Sequence, residues 1–274
     1  MLSDTHCHLY FDAYDQDRES VIERAREVGV RQILIPGIDV QTSKEAVSFA
    51  QQYPEFYAAV GVHPNDALTW NGESLDNLRD LASREKVVAI GEIGLDYYRD
   101  RTPFDVQRDV FERQLFLASE MGLPVIVHTR NQSNEDRKAI QDALDILREW
   151  QTGLVGTRPI LAMNPGVLHA FSGNEAEAQA ALEINFAIGI AGPVTFQNAP
   201  VLQHLVEKFP LEHMLLETDA PFLTPHPYRG KRNEPAYVRL VAEKVAVLKD
   251  LPVDMVEDIT GQNAERVFHW RVNH

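Results

Sequence analysis

The sequence predicts an α/β fold, a single TIM-like (β/α)8 barrel with an extra C-terminal helix. Three observations predict it. Short apolar runs alternate with stretches of helical period from one end of the chain to the other, as a parallel sheet covered by helices requires. The chain has 274 residues, and a barrel of this type takes about 250. Residues with metal-ligating side chains recur at the same end of nearly every strand candidate, the end where such barrels keep their chemistry.

Eight runs read as strands: 2–8, 32–37, 56–63, 87–92, 124–128, 167–170, 185–189 and 214–218. Most are short and apolar, as strands buried on both faces must be. KVVAIGE and LPVIVH are the clearest. Between the strands, Val21, Ile22, Ala25 and Val28 form one apolar stripe, and Ala46, Phe49, Ala50 and Tyr53 form another. Val238, Val241, Ala242 and Val245 form a third, at i, i+3, i+4 and i+7. Thr42 with Glu45 reads as a capping box for the second. A final helix near 263–270 is expected to cover the barrel after the eighth strand. An open doubly wound sheet would share this alternation, but such sheets carry a glycine-rich phosphate loop after an early strand. Here the first strand ends in His-Cys-His, which favours the barrel. No linker, low-complexity tract or short repeat interrupts the chain, so residues 1–274 read as one domain.

The formal net charge is −15. That argues against a broad electrostatic grip on nucleic acid or an anionic membrane, and leaves room for a local basic rim. Cys7 is the one cysteine, so no disulfide forms within the chain, and a reducing cytosol is the natural reading. The start of the chain has no signal-peptide pattern, and no apolar run approaches the ~20 residues of a membrane span. A soluble, cytoplasmic monomer is expected.

The candidate site begins at Asp4-Thr-His6-Cys-His8. Residues two apart on a strand face the same way, so His6 and His8 project into one mouth. An HxH pair is a weak signal in a chain with 10 histidines. The rest of the chain strengthens it. His63 ends the third strand candidate in GVHPN, Glu92 the fourth in AIGEIGLDYYRD, and His128 the fifth in PVIVHTR. His169 ends the sixth in VLHAFSG, and Glu217 with Asp219 ends the eighth in LLETDAP. By contrast, His204, His213, His226, His269 and His274 are scattered and read as ordinary. The imidazoles suit Zn, Mn or Fe, and the carboxylates also suit Mg. The donors outnumber the places on one tetrahedral ion and suit two divalent ions, whose identity (Mg, Mn or Zn) stays open. Paired ions clamp the oxygens of an in-line displacement. Glu92 is the candidate bridge between them. Asp219 is the candidate ligand and general base toward the attacking water, and Glu217, on the same strand face, would support that base or bind a further ion.

Together, SDTHCHL, GVHPN, GEIGLDYYRD, VIVHTR, HAFSG, LETDAPFLTP and RGKRNEPAYV resemble the TatD family of metal-dependent deoxyribonucleases, related to the amidohydrolase superfamily. The resemblance runs in order from residue 2 to about 268. It implies a TIM-like barrel with two divalent ions and hydrolysis of DNA phosphodiesters, 3′ to 5′ from single-stranded ends. It further implies that His6, His8, Glu92 and Asp219 hold one ion and Glu92, His128 and His169 the other, with His63 near the substrate phosphate. Two departures stand out. Asn65 occupies a position where the family often has a second histidine, which puts a phosphate contact in doubt. Residues 151–166 look like a longer connection than usual, on the side of the barrel away from the mouth.

A phosphodiester substrate needs cations beside the metals. Arg99, Arg101, Arg130, Arg229, Lys231 and Arg232 follow strand ends or lie in the loop after the eighth strand. Arg130, two residues after His128, is the first choice for direct phosphate contact. Arg99 and Arg232 are further candidates, although most surface arginines are simply solvated. Tyr97 and Tyr98 follow the bridging acid and could stack on bases; packing under the loop is an equal alternative for one of them. Phe171 and Phe222 read as packing residues. Cys7 should point away from the two histidines as a small buried hydrophobe. Gly61, Gly91, Gly94 and Gly189 relieve backbone crowding at strand ends. Neither a P-loop nor a GxSxG elbow is present. Other readings are an amidohydrolase-type enzyme acting on a small phosphoester, an amide or a D-aminoacyl-tRNA ester, and a non-catalytic metal or nucleic-acid binding module.

Overall fold

Parallel strands pair in sequence order: β1 (Leu2–Asp4), β2 (Val30–Pro36), β3 (Phe56–Val60), β4 (Val87–Asp96), β5 (Val125–Arg130), β6 (Gly166–Leu168), β7 (Ala187–Ile190) and β8 (Met214–Leu216). The structure is a computed structural model that describes residues 1–133 and 136–270, so His274 lies outside it. After β8 the chain comes round to β1. Thr5 N donates to Leu216 O at 3.0 Å, Asp219 N donates to His6 O at 2.8 Å, and Cys7 and Ala220 form a parallel bridge. The sheet is therefore a nearly closed barrel, as expected, and not an open doubly wound sheet.

The covering helices are α1 (Arg18–Glu27), α2 (Val40–Ala50), α3 (Ser74–Ala82), α4 (Phe104–Met121), α5 (Lys138–Thr157), α6 (Pro159–Met163), α7 (Glu175–Glu183), α8 (Pro200–Lys208), α9 (Val238–Lys249) and α10 (Val253–Phe268). Strand residues alternate between two apolar layers. Ile33 and Ile35 of β2 pack outward against the helices, while Leu34 joins Ile126, Val167 and Leu215 inside the barrel. Ala264, Val267, Phe268 and Trp270 enter the same inner cluster. Asn263 Nδ2 fixes their approach by donating to Leu211 O and Met214 O. The C-terminal helix thus plugs the amino-terminal end of the barrel, opposite the mouth.

Two local expectations are corrected. The capping box of α2 is built by Asp39 and Thr42, not by Thr42 and Glu45. Asp39 has the extended backbone of an N-cap and accepts from Thr42 N, while the Thr42 hydroxyl caps Asp39 N in return. Thr42 therefore occupies the third helical position, one turn later than expected. Residues 151–166 are mostly helical and not a long loop: they continue α5 and form α6, which Arg158 ties to Ser119 O and Glu120 O.

Candidate metal centre

The candidate donors stand in the carboxyl-terminal half of a strand, as Glu92 and His128 do, or just beyond a strand's last residue, and local features aim them inward. Asp4, at the end of β1, accepts from His6 N at 3.3 Å and from Thr218 N and Oγ1 at 2.9 and 2.6 Å. One buried carboxylate thereby fixes both the turn that carries His6 and His8 and the turn that carries Asp219. Asp219 has φ 55, a left-handed conformation that Asp tolerates better than most residues. The β4–β5 register shifts between Ile90 and Ile93, and an irregularity of this kind re-aims side chains; Glu92 lies within it. Gly94, at φ +135, lets the two strands touch, since a Cβ there would lie 2.1 Å from His128 O.

Donor atoms collect on either side of Glu92. His6 Nε2 and His8 Nε2 lie 3.2 Å apart. The edge of a tetrahedral site with metal–nitrogen bonds of about 2.05 Å is about 3.3 Å. Glu92 Oε2 is 3.4 Å from His6 Nε2 and 3.8 Å from His8 Nε2. Asp219 Oδ1 is 3.8 and 3.7 Å from the same two nitrogens. The other carboxylate oxygen, Glu92 Oε1, faces a second group: His128 Nδ1 at 2.9 Å, His169 Nε2 at 3.3 Å and His63 Nε2 at 3.6 Å. The structure therefore brings all the expected metal donors together, and it places His63 at the edge of the second group, farther from Glu92 Oε1 than His128 and His169. This donor set fits divalent cations. A single proton between His6 and His8 would leave most of the convergent lone pairs unsatisfied, whereas an ion satisfies them at once.

The donors are held from behind. Glu217 is fully buried; its Oε1 lies 3.2 Å from His169 Nδ1 and accepts from Ala170 N. It sits behind His169 and supports that ring directly, with Oε2 left without a hydrogen-bond partner among the described residues. Behind His128 stands Asp96, whose Oδ2 is 3.2 Å from His128 Nε2. Asp96 also accepts from Asn65 Nδ2 at 3.0 Å and from Tyr98 N and Arg99 N. Carboxylates behind metal-binding imidazoles fix their tautomer and orientation. Asp4 and Asp96 were not among the sequence candidates. Even spacing was the signal that could have found them, Asp4 two before His6 and Asp96 four after Glu92.

Burial alone would raise the Glu92 carboxyl, but the imidazoles of His63, His169 and His6 outweigh it and hold the group well below the usual carboxylate range. Burial also pushes Asp219 up, to about 6, and Asp4 up, to about 8. Burial lowers His8 and His63 to about 3. For His128 and His169 the acids win against burial. Asp96 and Glu92 raise the first, and Glu217 and Glu92 raise the second well above its ordinary value.

The rim residues divide. Arg130, Tyr98 and Arg99 are exposed at the mouth, with the Arg130 guanidinium 3.9 Å from the Tyr98 ring centre. Tyr97 is buried, its ring on Phe104 and its hydroxyl donating to Asp142 at 2.8 Å, so it packs under the loop instead of stacking on bases. Arg232 is held by both oxygens of Asp17 at 2.7 Å and lies over Tyr14; its N–H fork is committed to pinning the loop after β8 and is not aimed at a phosphate. Phe171 and Cys7 are buried as expected. Phe222, expected to pack, is 53% exposed beside His8.

A parallel barrel that gathers buried imidazoles and carboxylates at metal-coordinating spacing on its catalytic end belongs to the metal-dependent hydrolases of this architecture. The particular family follows from comparison. The family model described as TatD related DNase matches residues 3–269, and the chain belongs to that family. It is 43% identical to the uncharacterized metal-dependent hydrolase YabD of Bacillus subtilis, over 100% of both chains. It is 35% identical to the 3′-5′ ssDNA/RNA exonuclease TatD of Pectobacterium parmentieri, over 95% of this chain and 96% of that one. Among solved structures, the TatD homologue YJJV of Escherichia coli superposes with a TM-score of 0.88 at 30% identity, covering 98% of each chain.

Proposed function

We propose that the protein is a two-metal 3′ to 5′ exonuclease that shortens single-stranded DNA from its end. The observation that carries this reading is the geometry of Glu92, whose two carboxylate oxygens each face a separate cluster of donors. His6, His8, Glu92 and Asp219 would hold one ion, and Glu92, His128 and His169, with His63 beside them, the other. Divalent ions there supply Lewis-acid polarisation of a phosphoryl oxygen and a water acidic enough to attack.

The residues then have distinct tasks. Asp219, whose Oδ1 lies 3.7 Å from His8 Nε2 on the first group, takes the proton of the attacking water as general base. Glu217 and Asp96 keep His169 and His128 in register. His63, at the edge of the second group, faces the scissile phosphate, and Arg130 and Arg99 stand where the next phosphates pass. Every donor comes from one chain, so the site is complete in a monomer, and the buried thiol of Cys7 suits a reducing cytosol. The nucleic-acid substrate is supported by the relatives named as 3′-5′ ssDNA/RNA exonucleases.

The test is hydrolysis of 5′- and 3′-labelled single-stranded DNA by protein stripped of metal and reloaded with Mg, Mn or Zn. Mononucleotides released from the 3′ end establish the reading. Intact DNA under every metal, with two ions bound per chain, moves the assignment to a small phosphoester, an amide or a D-aminoacyl-tRNA ester.

A further inference from the structure

Two arginines on the rim of the mouth are stacked on aromatic rings and have no carboxylate within 4.0 Å among the described residues. Arg130, two residues after His128, lies over Tyr98 at 3.9 Å; Arg229, in the loop after β8, lies over Phe196, in the loop after β7, at 4.2 Å. Both arginines are exposed and Phe196 is half-buried, while Tyr98 is 54% exposed. In a chain of net charge −15, two cations left out of ion pairing at one mouth call for a ligand. The neighbouring Arg232 shows the alternative, being fully engaged by Asp17.

The pairs are held in place. Tyr97 N donates to Arg130 O at 2.8 Å, and Tyr98 N donates to Asp96 Oδ1. The Arg229 loop is anchored by His226 N on Thr195 Oγ1 at 2.8 Å and by Lys231 N on Tyr228 O. Strand order puts the first pair at β4–β5 and the second at β7–β8, on different sides of the donors that follow β6 and β1. A guanidinium resting on a ring keeps N–H groups for phosphate oxygens, and exposed ring and guanidinium faces take bases of any sequence by stacking.

We propose that these two cation–aromatic pairs are separate nucleotide subsites flanking the metal centre, so that a single strand crosses the mouth with a base and a phosphate engaged on each side. This rests on the exonuclease reading and names how its substrate is gripped. The experiment is fluorescence anisotropy of the metal-loaded full chain with a 5′-labelled, phosphorothioate-linked, hydrolysis-resistant oligothymidylate of eight residues, titrated over a range of KCl. Tyr98→Ala and Phe196→Ala should each weaken binding at least fivefold with the salt slope unchanged, since a stacked base contributes about 1–3 kcal/mol. Tyr98→Phe and Phe196→Tyr should restore it. Arg130→Gln and Arg229→Gln should weaken binding and lower the salt slope by about 0.7 each. Variants that bind within twofold of wild type overturn the subsites, as does a wild type that binds no oligonucleotide. Nucleotide release by the wild type, measured in parallel on ordinary DNA, separates the two proposals. Release with unaffected variants leaves the nuclease without these subsites; variant-sensitive binding without release leaves the subsites and removes the nuclease.

Discussion

At the scale of single residues, the site depends on carboxylates behind imidazoles as much as on the imidazoles. A Cβ on Gly189 would lie 2.4 Å from Glu217 Oε2, so Gly189→Ala must displace the buried acid that supports His169. Metal affinity by titration calorimetry should fall about 10–100-fold, the usual cost of losing such a partner. Gly153→Ala is the control: its Cβ meets nothing within 4 Å on α5, and alanine there should stabilise by about 0.4–1 kcal/mol. Asp219→Asn should lower kcat about 100–10,000-fold, the range of a lost general base, while elemental analysis still finds the second ion held by Glu92, His128 and His169. A variant that stays within tenfold of wild type would remove Asp219 from proton transfer. That the donor side chains would converge was legible in the sequence, because a residue of ligand type recurs at the same end of nearly every strand candidate. Asp96 and Asp4 were hidden among 41 acidic residues, because their even spacing from Glu92 and His6 gains meaning only once the groups they bond, His128 on β5 and Thr218 after β8, are brought beside them. Tyr97 and Tyr98 show the same limit. Adjacent residues of one type part ways because Asp142 and Phe104 claim one ring, and those partners lie on later elements.

At the scale of elements, the eight strands were legible because buried parallel strands read as apolar runs, and all eight appear near their expected positions. Their ends were less so. The chain leaves β1 at Asp4, since the two histidines lie on the turn that Asp4 pins and not on the strand itself. The cap of α2 was misplaced by one turn because Asp and Thr are both good N-caps, and only backbone conformation decides between them. Asp39→Ala should cost about 1 kcal/mol of stability, whereas Glu45→Ala, whose exposed side chain accepts from exposed Gln41, should be near neutral in chemical denaturation. Helix α10 began ten residues before the expected 263, yet its role was legible from the apolar residues near its end. Phe268 is buried in the cluster inside the barrel. Phe268→Ala should therefore destabilise by about 3–5 kcal/mol, with turnover per folded molecule unchanged, because the plug lies at the end away from the donors. A loss under 1 kcal/mol would mean the barrel floor closes without it.

At the scale of the whole molecule, the two donor groups should bind their ions with different responses to pH. In the metal-free protein His8 is held near 3 by burial, so it is already neutral at any working pH and gives up no proton to an ion. His128 and His169 are both raised by the acids around them. Each carries a proton to higher pH than a free imidazole, and that proton must leave before the nitrogen can bind a metal. The sign follows: affinity at the second group rises with pH through the range in which these imidazoles titrate, upward from the ordinary value of 6.5. At the first group His8 releases no proton, and Asp219 must ionise at about 6. Lowering the pH from 8 to 6 should therefore empty the second group first, taking bound metal from two ions per chain toward one. Calorimetric titration in buffers of different ionisation enthalpy should count protons released by the second binding event at pH 7 and fewer at pH 9. Stability should follow the same order. An ion at 100 times its dissociation constant adds about 2.7 kcal/mol, so the gap in unfolding free energy between loaded and stripped protein should widen with pH as the second ion takes hold. A gap that stays constant from pH 6 to 9, with two ions bound throughout, would show that His128 and His169 stand neutral despite Asp96 and Glu217. Those carboxylates would then orient the rings without charging them.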